Sequence, residues 1–537
     1  MGLVFLSSWI VSILVTYQIF KKKNKYQFGR SNSLPYTEEK MSYPVEKQFK
    51  NFEDLADPNY VPEKLRGKKY LAKEHCLRVK KLLLSKVKSL NASKTGIFIA
   101  GEEMKGVKYC DAFKDFRQNQ YFYYLSGVYD IPGCSLFFDF HDDSLTLFLP
   151  NVDTEDIMWS GEPLYPEEAL KKYDADAVKY YSDLESEIIN NTKYSDYLIF
   201  TTDLDNVHID ALAKKLTPKD KDFFFAMDET RVIKDWYEIE IIRRACEISD
   251  KSHLAVMSAL PIELNELHIQ AEFKYHATRQ GGRTLGYDPI CCSGPACGTL
   301  HYIKNDEDVH GKVSTLIDCG AEWRGYTSDV TRCFPLSGKF TKEHRDIYET
   351  VLDMQSQAME LIKPGAEWDD LHFLTHRVLI QHFLKLGIFK KEFSEEELIK
   401  RRVSAAFYPH GLGHMLGIDV HDVAGNANYE DPDPYFCYLR IRRRLEENMV
   451  VTNEPGCYFN EHLIKNFLKS HSERLETVNM DVVAKYMHVG GVRIEDDILV
   501  TAKGYENLNK VTSDPDEIEK IVSAGLAKGR SSFHVLA

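Results

Sequence analysis

The stretch Leu316-Ile-Asp-Cys-Gly-Ala-Glu-Trp-Arg-Gly-Tyr-Thr-Ser-Asp-Val330 decides the fold of this chain. It carries two aspartates, Asp318 and Asp329, on either side of a glycine-containing turn. Residues 313–319 and 326–334 are predicted to form two antiparallel strands joined by that turn. The two aspartates are almost equidistant from the turn, so strand pairing would bring their carboxylates close together. Two neighbouring carboxylates are typical of a metal site.

Three further ligand candidates lie in short motifs of the C-terminal half. They are His414 in His410-Gly-Leu-Gly-His-Met-Leu-Gly-Ile-Asp-Val-His421, Glu454 in Thr452-Asn-Glu-Pro-Gly, and Glu495 in Arg493-Ile-Glu-Asp-Asp. Four carboxylates and one imidazole offer more oxygen than one cation uses, but they suit two divalent ions that share bridging carboxylates. Such a pair can generate a hydroxide and polarise a carbonyl group. The sequence therefore predicts a dinuclear metallohydrolase.

The local structure around these candidates is predicted from glycine content and apolar runs. His410 and His414 are four residues apart, as in a helical zinc pair, but Gly411 and Gly413 disfavour a regular helix. A glycine-rich loop or distorted strand that gathers three histidines around a cleft fits better. Residues 449–454 and 491–500 are predicted strands, and ligands on the strands of one sheet would make the site rigid.

Composition limits what surrounds this site. A chain of 537 residues is long enough for two globular domains, and 43% hydrophobic with 28% charged residues is typical of a soluble globular protein. The net charge of −14 argues against a nucleic-acid partner. The eleven cysteines contain no C-x-x-C pair, which favours a reducing compartment over a zinc or disulfide framework.

The predicted fold class is α/β, of the α+β type, with an N-terminal α/β domain followed by a catalytic domain. The predicted boundaries are a membrane-anchor candidate at 1–25, a tether at 26–64, an N-terminal domain at 65–216, a catalytic domain at 225–510 and a C-terminal tail at 511–537. A helix is predicted to begin at Arg231 and to continue through Ala245, and Pro261 would end it.

Residues 3–20 carry no charge and are followed at once by Lys21-Lys-Lys-Asn-Lys25. Their number is near the lower limit for a membrane span, and the following lysines would keep the catalytic domain in the cytosol. The sequence thus predicts a membrane anchor at residues 3–20 with a cytosolic catalytic domain. The alternative is an apolar tail on a soluble cytoplasmic protein.

At these residues the chain resembles the prolidase and aminopeptidase P family of proline-specific metallopeptidases. The resemblance extends from about residue 69 to residue 505, and it rests on Phe116-Arg-Gln118, on the helix beginning at Arg231 and on the metal motifs in their order. It implies a pita-bread fold for the catalytic domain, hydrolysis of the bond before proline in dipeptides or short peptides, and a homodimer.

The resemblance also implies a role for each ligand candidate. Asp318 would bind one metal through both oxygens, and Asp329 and Glu495 would bridge two ions. His414 and Glu454 would complete the second ion. The expected cofactor is a pair of divalent ions, with manganese favoured by the oxygen-rich ligand set. A hydroxide held by the pair would attack the substrate carbonyl.

Further site residues are implied in the same way. Glu454 would handle protons, and His301 would shuttle protons or hold the substrate. His410 and His421 would stabilise the oxyanion and shape the proline pocket. Arg493 would hold the ligand carboxylates through charge-assisted hydrogen bonds, and Tyr287 corresponds to an active-site position of the family.

Substrate length depends on Arg440, in Tyr438-Leu-Arg-Ile-Arg-Arg-Arg444. A segment of this kind precedes the Glu-Pro-Gly motif in prolidases, where the arginine would bind the free carboxylate of a dipeptide. The favoured prediction is therefore an Xaa-Pro dipeptidase. The alternatives are a solvated basic run with Xaa-Pro aminopeptidase activity on longer peptides, a methionine aminopeptidase, and a metal-free peptide-binding module. The last conflicts with the presence of all five ligand candidates.

Overall fold

A mixed six-stranded sheet opens the part of the chain that the computed structural model describes, which is residues 57–528 and 532–533. Its strands are β1 Thr95–Ala100, β2 Ser135–Asp139, β3 Ser144–Leu149, β4 Ala177–Tyr180, β5 Leu198–Thr201 and β6 Leu216–Pro218. They lie side by side in the order β4-β3-β2-β1-β5-β6. Every residue of β1 is buried, in keeping with its central place. β2 and β3 form the hairpin that the sequence predicts.

Helices cover this sheet and lead out of it. They are α1 Ala72–Lys86, α2 Gln120–Ser126, α3 Ile157–Ser160, α4 Pro166–Lys172 and α5 Asp210–Ala213. α1 buries His75, Cys76, Val79 and Leu83, which are spaced so that they lie on one helical face.

Two helices connect the six-stranded sheet to the rest of the chain: α6 Lys221–Val232 and α7 Trp236–Ala259. The sequence predicts one helix from Arg231 through Ala245, and the structure breaks it at residues 233–235. The cause is Asp235, whose side chain accepts hydrogen bonds from the backbone N–H groups of Tyr237 and Glu238, while Glu238 returns one to the Asp235 N–H. This capping box starts a new helix after the break.

The remaining strands form small sheets rather than one large one. They are β7 Thr284–Leu285, β8 Ile290–Ser293, β9 Ser314–Asp318, β10 Ala321–Trp323, β11 Tyr326–Thr327, β12 Thr331–Pro335, β13 Val450–Asn453, β14 Gly456–Tyr458, β15 Gly491–Arg493, β16 Asp496–Thr501 and β17 Gly504–Asn507. The sheet orders are β11-β10-β7, β12-β9-β8, β13-β16-β17 and β14-β15.

Long helices pack around these sheets. They are α8 Glu266–Arg279, α9 Lys342–Leu361, α10 Trp368–Leu386, α11 Glu395–Lys400, α12 Glu461–Lys469, α13 Ser472–Leu475, α14 Met480–Tyr486 and α15 Pro515–Leu526. α15 lies in the segment predicted as a tail, and it buries Ile518 and Val522. The described elements confirm the predicted α/β class.

The predicted hairpin around the two aspartates needs a correction. β9 pairs with β12 so that Asp318 lies opposite Thr331, not opposite Asp329. Between them the chain leaves the sheet to form β10 and β11, and Asp329 follows β11 outside any strand. Gly320 permits this crossing, because a Cβ atom there would lie 1.7 Å from the carbonyl oxygen of Ser328.

The predicted transmembrane anchor is also corrected. In the described ranges, 57–528 and 532–533, no helix is long and apolar enough to cross a bilayer, which contradicts the prediction of a transmembrane helix. The segment to which the sequence assigns the anchor, residues 3–20, lies outside the described residues. Most of the predicted tether lies outside them as well, and its described end contacts α7 through an ion pair of 2.6 Å between Lys64 and Glu240.

Replacing Gly320 tests the crossing. Gly320→Ala is expected to destabilise the fold by about 1–3 kcal/mol or more, since the new methyl group meets backbone that has no room to move. Gly504→Ala is the matched control, because a Cβ atom there meets nothing within 4 Å and the change should stay within about 0.5 kcal/mol. Urea unfolding of both variants measures the difference, and equal stability would contradict the described crossing.

Candidate metal centre

All the site residues predicted from the sequence line one cavity of about 430 Å³. They are Tyr287, His301, Asp318, Asp329, His410, His414, His421, Arg440, Glu454, Arg493 and Glu495. They come from segments almost 210 residues apart in the chain, as measured from Tyr287 to Glu495. The structure therefore brings together side chains that only the three-dimensional fold can make neighbours. Their individual roles stay predictions.

The carboxylates reach the cavity from breaks beside strands. Asp318 ends β9 and Glu454 directly follows β13, whereas Asp329 and Glu495 lie between two strands each. These strands belong to three sheets, not to the single sheet that the sequence predicts. An isolated β-bridge between Thr331 and Glu495 joins two of the sheets at the site. Rigidity comes from the meeting of three sheets.

His414 lies among these carboxylates with one ring nitrogen free for a cation. Its Nε2 is 3.3 Å from Asp329 Oδ2 and 3.4 Å from Glu454 Oε1. Its Nδ1 lies 3.0 Å from the Met415 carbonyl oxygen, so Nδ1 carries the proton and Nε2 presents a lone pair. One ligand atom each from Asp329, His414 and Glu495 lie within 4.8 Å of one another.

The carboxylates carry an electrostatic strain that a cation would relieve. Burial, reinforced by the neighbouring carboxylates, raises the pKa of Asp329 and of Glu495 well above the ordinary range. Burial raises the pKa of Glu454 to about 7. The Oδ1 atom of Asp329 is buried and has no hydrogen-bond partner among the described residues. An orphaned oxygen within an oxygen-rich set fits divalent cations.

Other side chains hold the carboxylates in place. Tyr287 donates to Asp318 Oδ1 at 2.6 Å, and Arg493 Nη2 donates to Asp318 Oδ2. Thr331 donates to Glu495 Oε2 at 2.6 Å. The backbone N–H of Asp329 donates to both carboxylate oxygens of Asp497, at 3.0 and 3.1 Å. Sequence reasoning missed Thr331 and Asp497, although both lie within two residues of a predicted ligand.

His410 is held by Tyr458, which sequence reasoning also missed. Its Nδ1 lies 2.8 Å from the Gly411 carbonyl oxygen, and its Nε2 lies 2.8 Å from the Tyr458 hydroxyl. That hydroxyl accepts a hydrogen bond from Arg493 Nη1 at 2.8 Å and is left to donate to His410. Burial lowers the pKa of His410 to about 3, so the ring is neutral. Tyr458 follows Glu454 by four residues and carries no motif of its own.

A close backbone approach shapes the glycine-rich loop that carries the histidines. The Glu454 N–H donates to the Leu412 carbonyl and the Thr452 N–H donates to the His414 carbonyl, both at 2.9 Å. A Cβ atom at Gly413 would lie 2.1 Å from the Thr452 carbonyl oxygen. Glycine is therefore required where the loop lies against β13, and the loop is not helical, as predicted.

Buried ion pairs fasten the far end of this loop, next to His421. Asp422 accepts hydrogen bonds from Arg231 Nη2 at 2.6 Å and from Lys234 Nζ at 2.7 Å. Arg231 also donates to Asp419 at 2.7 Å. The side chains of Arg231, Lys234 and Asp422 are each at most 2% exposed. The break between α6 and α7 thus holds the loop by charge.

The N-terminal part of the chain contacts the same loop. The guanidinium of Arg231 lies over the ring of Tyr121, 5.4 Å from its centroid. Arg117, from the Phe116-Arg-Gln118 motif, donates to the Ile418 carbonyl at 3.2 Å. These residues belong to one compact unit, Ala56–Ala537. Residues that precede the catalytic sheets therefore support a loop of the metal centre.

Comparison with known proteins gives matches over most of the chain. Residues 240–502 match metallopeptidase family M24, and residues 75–200 match the aminopeptidase P N-terminal domain. An uncharacterized peptidase of Saccharomyces cerevisiae is 66% identical over 96% of this chain and 95% of its own length. A probable Xaa-Pro aminopeptidase of Fusarium vanettenii is 41% identical over 85% of this chain and 97% of its own length.

Solved structures match as well. The structure of E. coli aminopeptidase P with the inhibitor Pro-Leu is similar with a TM-score of 0.71 and 27% identity. The match covers 86% of this chain and 100% of that chain.

Removing one bridging candidate should remove metal. Asp329→Asn is expected to lower the divalent metal content of dialysed protein, because the variant loses a charged oxygen at the centre of the ligand set. Asp288→Asn is the matched control, since Asp288 lines the same cavity but is exposed. Elemental analysis measures both variants, and circular dichroism checks that they are folded. A normal metal content in Asp329→Asn would contradict the proposed ligand set.

Breaking the ion pairs of the loop should cost both stability and activity. Asp422→Asn leaves Arg231 and Lys234 buried with too little negative charge, and we expect a loss of about 3–5 kcal/mol. Asp516→Asn is the control, because that carboxylate is 69% exposed and pairs with Arg345 at the surface. Urea unfolding compares the two variants, and similar small losses would show that the buried pairs are not required.

Proposed function

Because the chain belongs to metallopeptidase family M24, we propose that it is an Xaa-Pro aminopeptidase that releases the N-terminal residue of peptides with proline in second place. The matches to the M24 family and to the aminopeptidase P N-terminal domain confirm the family resemblance predicted from the sequence. Relatives at about 40% identity carry the name probable Xaa-Pro aminopeptidase, which supports this specificity for the chain. Divalent metal is the cofactor of such a peptidase.

The observation that carries the proposal is the gathering of five ligand candidates in one cavity with their supports. Asp318, Asp329, His414, Glu454 and Glu495 would hold two divalent cations. Cations bound there supply Lewis acidity for the carbonyl before proline and lower the pKa of a water molecule. Manganese is the favoured ion, because four of the five side chains offer hard oxygen ligands.

The protein residues then bind, orient and move protons. The Glu454 carboxyl, with a pKa near 7, is poised to accept and return a proton at neutral pH. Arg493 holds one oxygen of Asp318 and, through the Tyr458 hydroxyl, the ring of His410. His410 therefore presents a fixed neutral ring to the cavity wall. His301 and His421 lie at its exposed side, where a peptide would enter.

Arg440 bears on substrate length. Three neighbours in its arginine run have carboxylate partners: Arg442 pairs with Asp369 and Asp431, Arg443 with Glu229, and Arg444 with Glu367. Arg440 forms no ion pair within the described ranges, and it lines the cavity. An unpaired guanidinium in the cavity wall suits an oxygen of the peptide on the leaving side of the scissile bond.

An Xaa-Pro dipeptidase is the second candidate, and Arg440 is the observation that favours it. In a dipeptide the free carboxylate of proline lies where a longer peptide has an amide, and only the carboxylate makes a charge-assisted pair with arginine. The dipeptide preference stays a prediction. The names of the relatives favour the aminopeptidase.

The compartment and assembly are proposed on separate grounds. All eleven cysteines are free thiols, and ten of them are at least partly buried, which supports a reducing compartment such as the cytoplasm. The homodimer implied by the resemblance and the boundaries at 65–216 and 225–510 stay proposals. The two family matches fall within those boundaries.

A direct assay tests the proposed activity. Metal-depleted protein is supplied separately with manganese, cobalt or zinc and given Ala-Pro, Ala-Pro-Ala and Ala-Ala-Ala. We expect release of alanine from Ala-Pro-Ala, none from Ala-Ala-Ala, and the highest rate with manganese. Hydrolysis of Ala-Pro alone would establish the dipeptidase instead. Equal hydrolysis of Ala-Ala-Ala would contradict proline specificity.

Arg440→Ala separates the two candidates further. If Arg440 binds a terminal carboxylate, kcat/KM for Ala-Pro should fall by the equivalent of about 2–5 kcal/mol, with a much smaller loss for Ala-Pro-Ala. Arg444→Ala is the matched control, because Arg444 is exposed and pairs with Glu367. Equal losses on both substrates would assign Arg440 to backbone recognition in an aminopeptidase. Unchanged kinetics would show that Arg440 does not contact the substrate.

A further inference from the structure

A second cavity, of about 460 Å³, lies where α4 and the residues before α1 meet the β10–β11 turn. Its walls carry six cationic side chains: Arg66, Lys68, Lys69, Lys171, Lys172 and Arg324. None of the sixteen residues that line it is an aspartate or a glutamate. In the whole chain, by contrast, acidic residues outnumber Lys and Arg by 82 to 68. We call this cavity the basic cleft, and it shares no residue with the cavity of the metal centre.

Most of these cations are free to bind a ligand. Lys69 is held in the wall, because its Nζ donates to the carbonyls of Leu170 and Tyr173 at 2.8 Å each. Lys172 lies 3.4 Å from Asp130, a carboxylate beside the cleft. The other four cations form no ion pair in the part of the chain that the structure describes.

Two of these four are oriented without being neutralised. Arg66 donates from Nε to the Val61 carbonyl at 3.0 Å, which leaves the other guanidinium nitrogens available. Arg324 lies over the Trp323 ring, 4.6 Å from its centroid. Lys68 and Lys171 are exposed.

Tyrosines make the floor of the basic cleft firm. The rings of Tyr70 and Tyr123 stack with centroids 5.4 Å apart, and the Tyr237 ring meets Tyr70 edge-on at 5.7 Å. The Tyr123 hydroxyl donates to the Arg324 carbonyl at 2.5 Å, which fixes the turn that carries the arginine. All three rings are buried, so they shape the floor but offer little stacking surface.

We propose that the basic cleft binds a compact, multiply charged anion, namely a chain of phosphate groups. Several like charges facing one cavity repel one another, and a polyanion would offset that repulsion more fully than solvent does. Guanidinium groups bind phosphate oxygens through paired hydrogen bonds, and ammonium groups add point charges around them. The covered floor argues against a ligand held by an aromatic base. The proposal goes beyond the peptidase activity and does not depend on it.

Calorimetric titration of the metal-loaded full chain with tripolyphosphate tests the proposal. We expect one saturable site in the cleft whose affinity falls as sodium chloride is raised, because salt screens exposed charges. The double variant Lys68→Glu/Lys171→Glu should weaken that binding by at least about tenfold. The control is Lys363→Glu/Lys503→Glu, which changes net charge equally at exposed lysines outside the cleft. Thermal unfolding checks that both double variants are folded.

The outcomes separate the alternatives. Loss of binding in the cleft variant, but not in the control, supports the proposal. ATP titrated in parallel identifies the source: equal affinity indicates that the phosphate chain alone is recognised, and tighter binding indicates a nucleotide. Absence of saturable binding would overturn the proposal. Binding that survives unchanged in the cleft variant would also overturn it, because the probe would then lie at the metals or elsewhere.

Discussion

The burial of four carboxylates against one another is the constraint on which the rest of this structure depends. Like charges at this spacing raise each other's pKa and destabilise the fold unless cations or hydrogen-bond donors oppose them. Arg493, Tyr287 and Thr331 supply donors to Asp318 and Glu495, yet one oxygen of Asp329 still has no partner. The fold thus leaves to metal ions the part of the repulsion that its own side chains do not offset.

The ligands could be predicted from sequence because each lies in a short motif whose chemistry is visible without the fold. The pairing around Asp329 could not, since the steric need for Gly320 arises only when Ser328 crosses it. The break after Arg231 was hidden in the same way, because the helical spacing of apolar residues continues through it. Only the capping by Asp235 ends one helix and starts the next.

Long-range partners explain the other gaps. Tyr458 and Asp422 carry no motif, and their importance comes from contacts with Arg493 and Arg231, which are 35 and 191 residues away. The arginine run at 440–444 shows the same limit. The sequence presents four equal cations, and only the fold gives three of them carboxylate partners and turns Arg440 toward the cavity.

The contacts of Tyr121 with Arg231 and of Arg117 with Ile418 bear on how the chain is made. Proteins emerge from the ribosome N-terminus first, and their regions tend to fold in that order. The six-stranded sheet and its helices can therefore be in place before the loop at 410–422 is synthesised. That early region then acts as a template, an intramolecular chaperone for the loop. The order of synthesis matches the order in which the metal centre must be assembled.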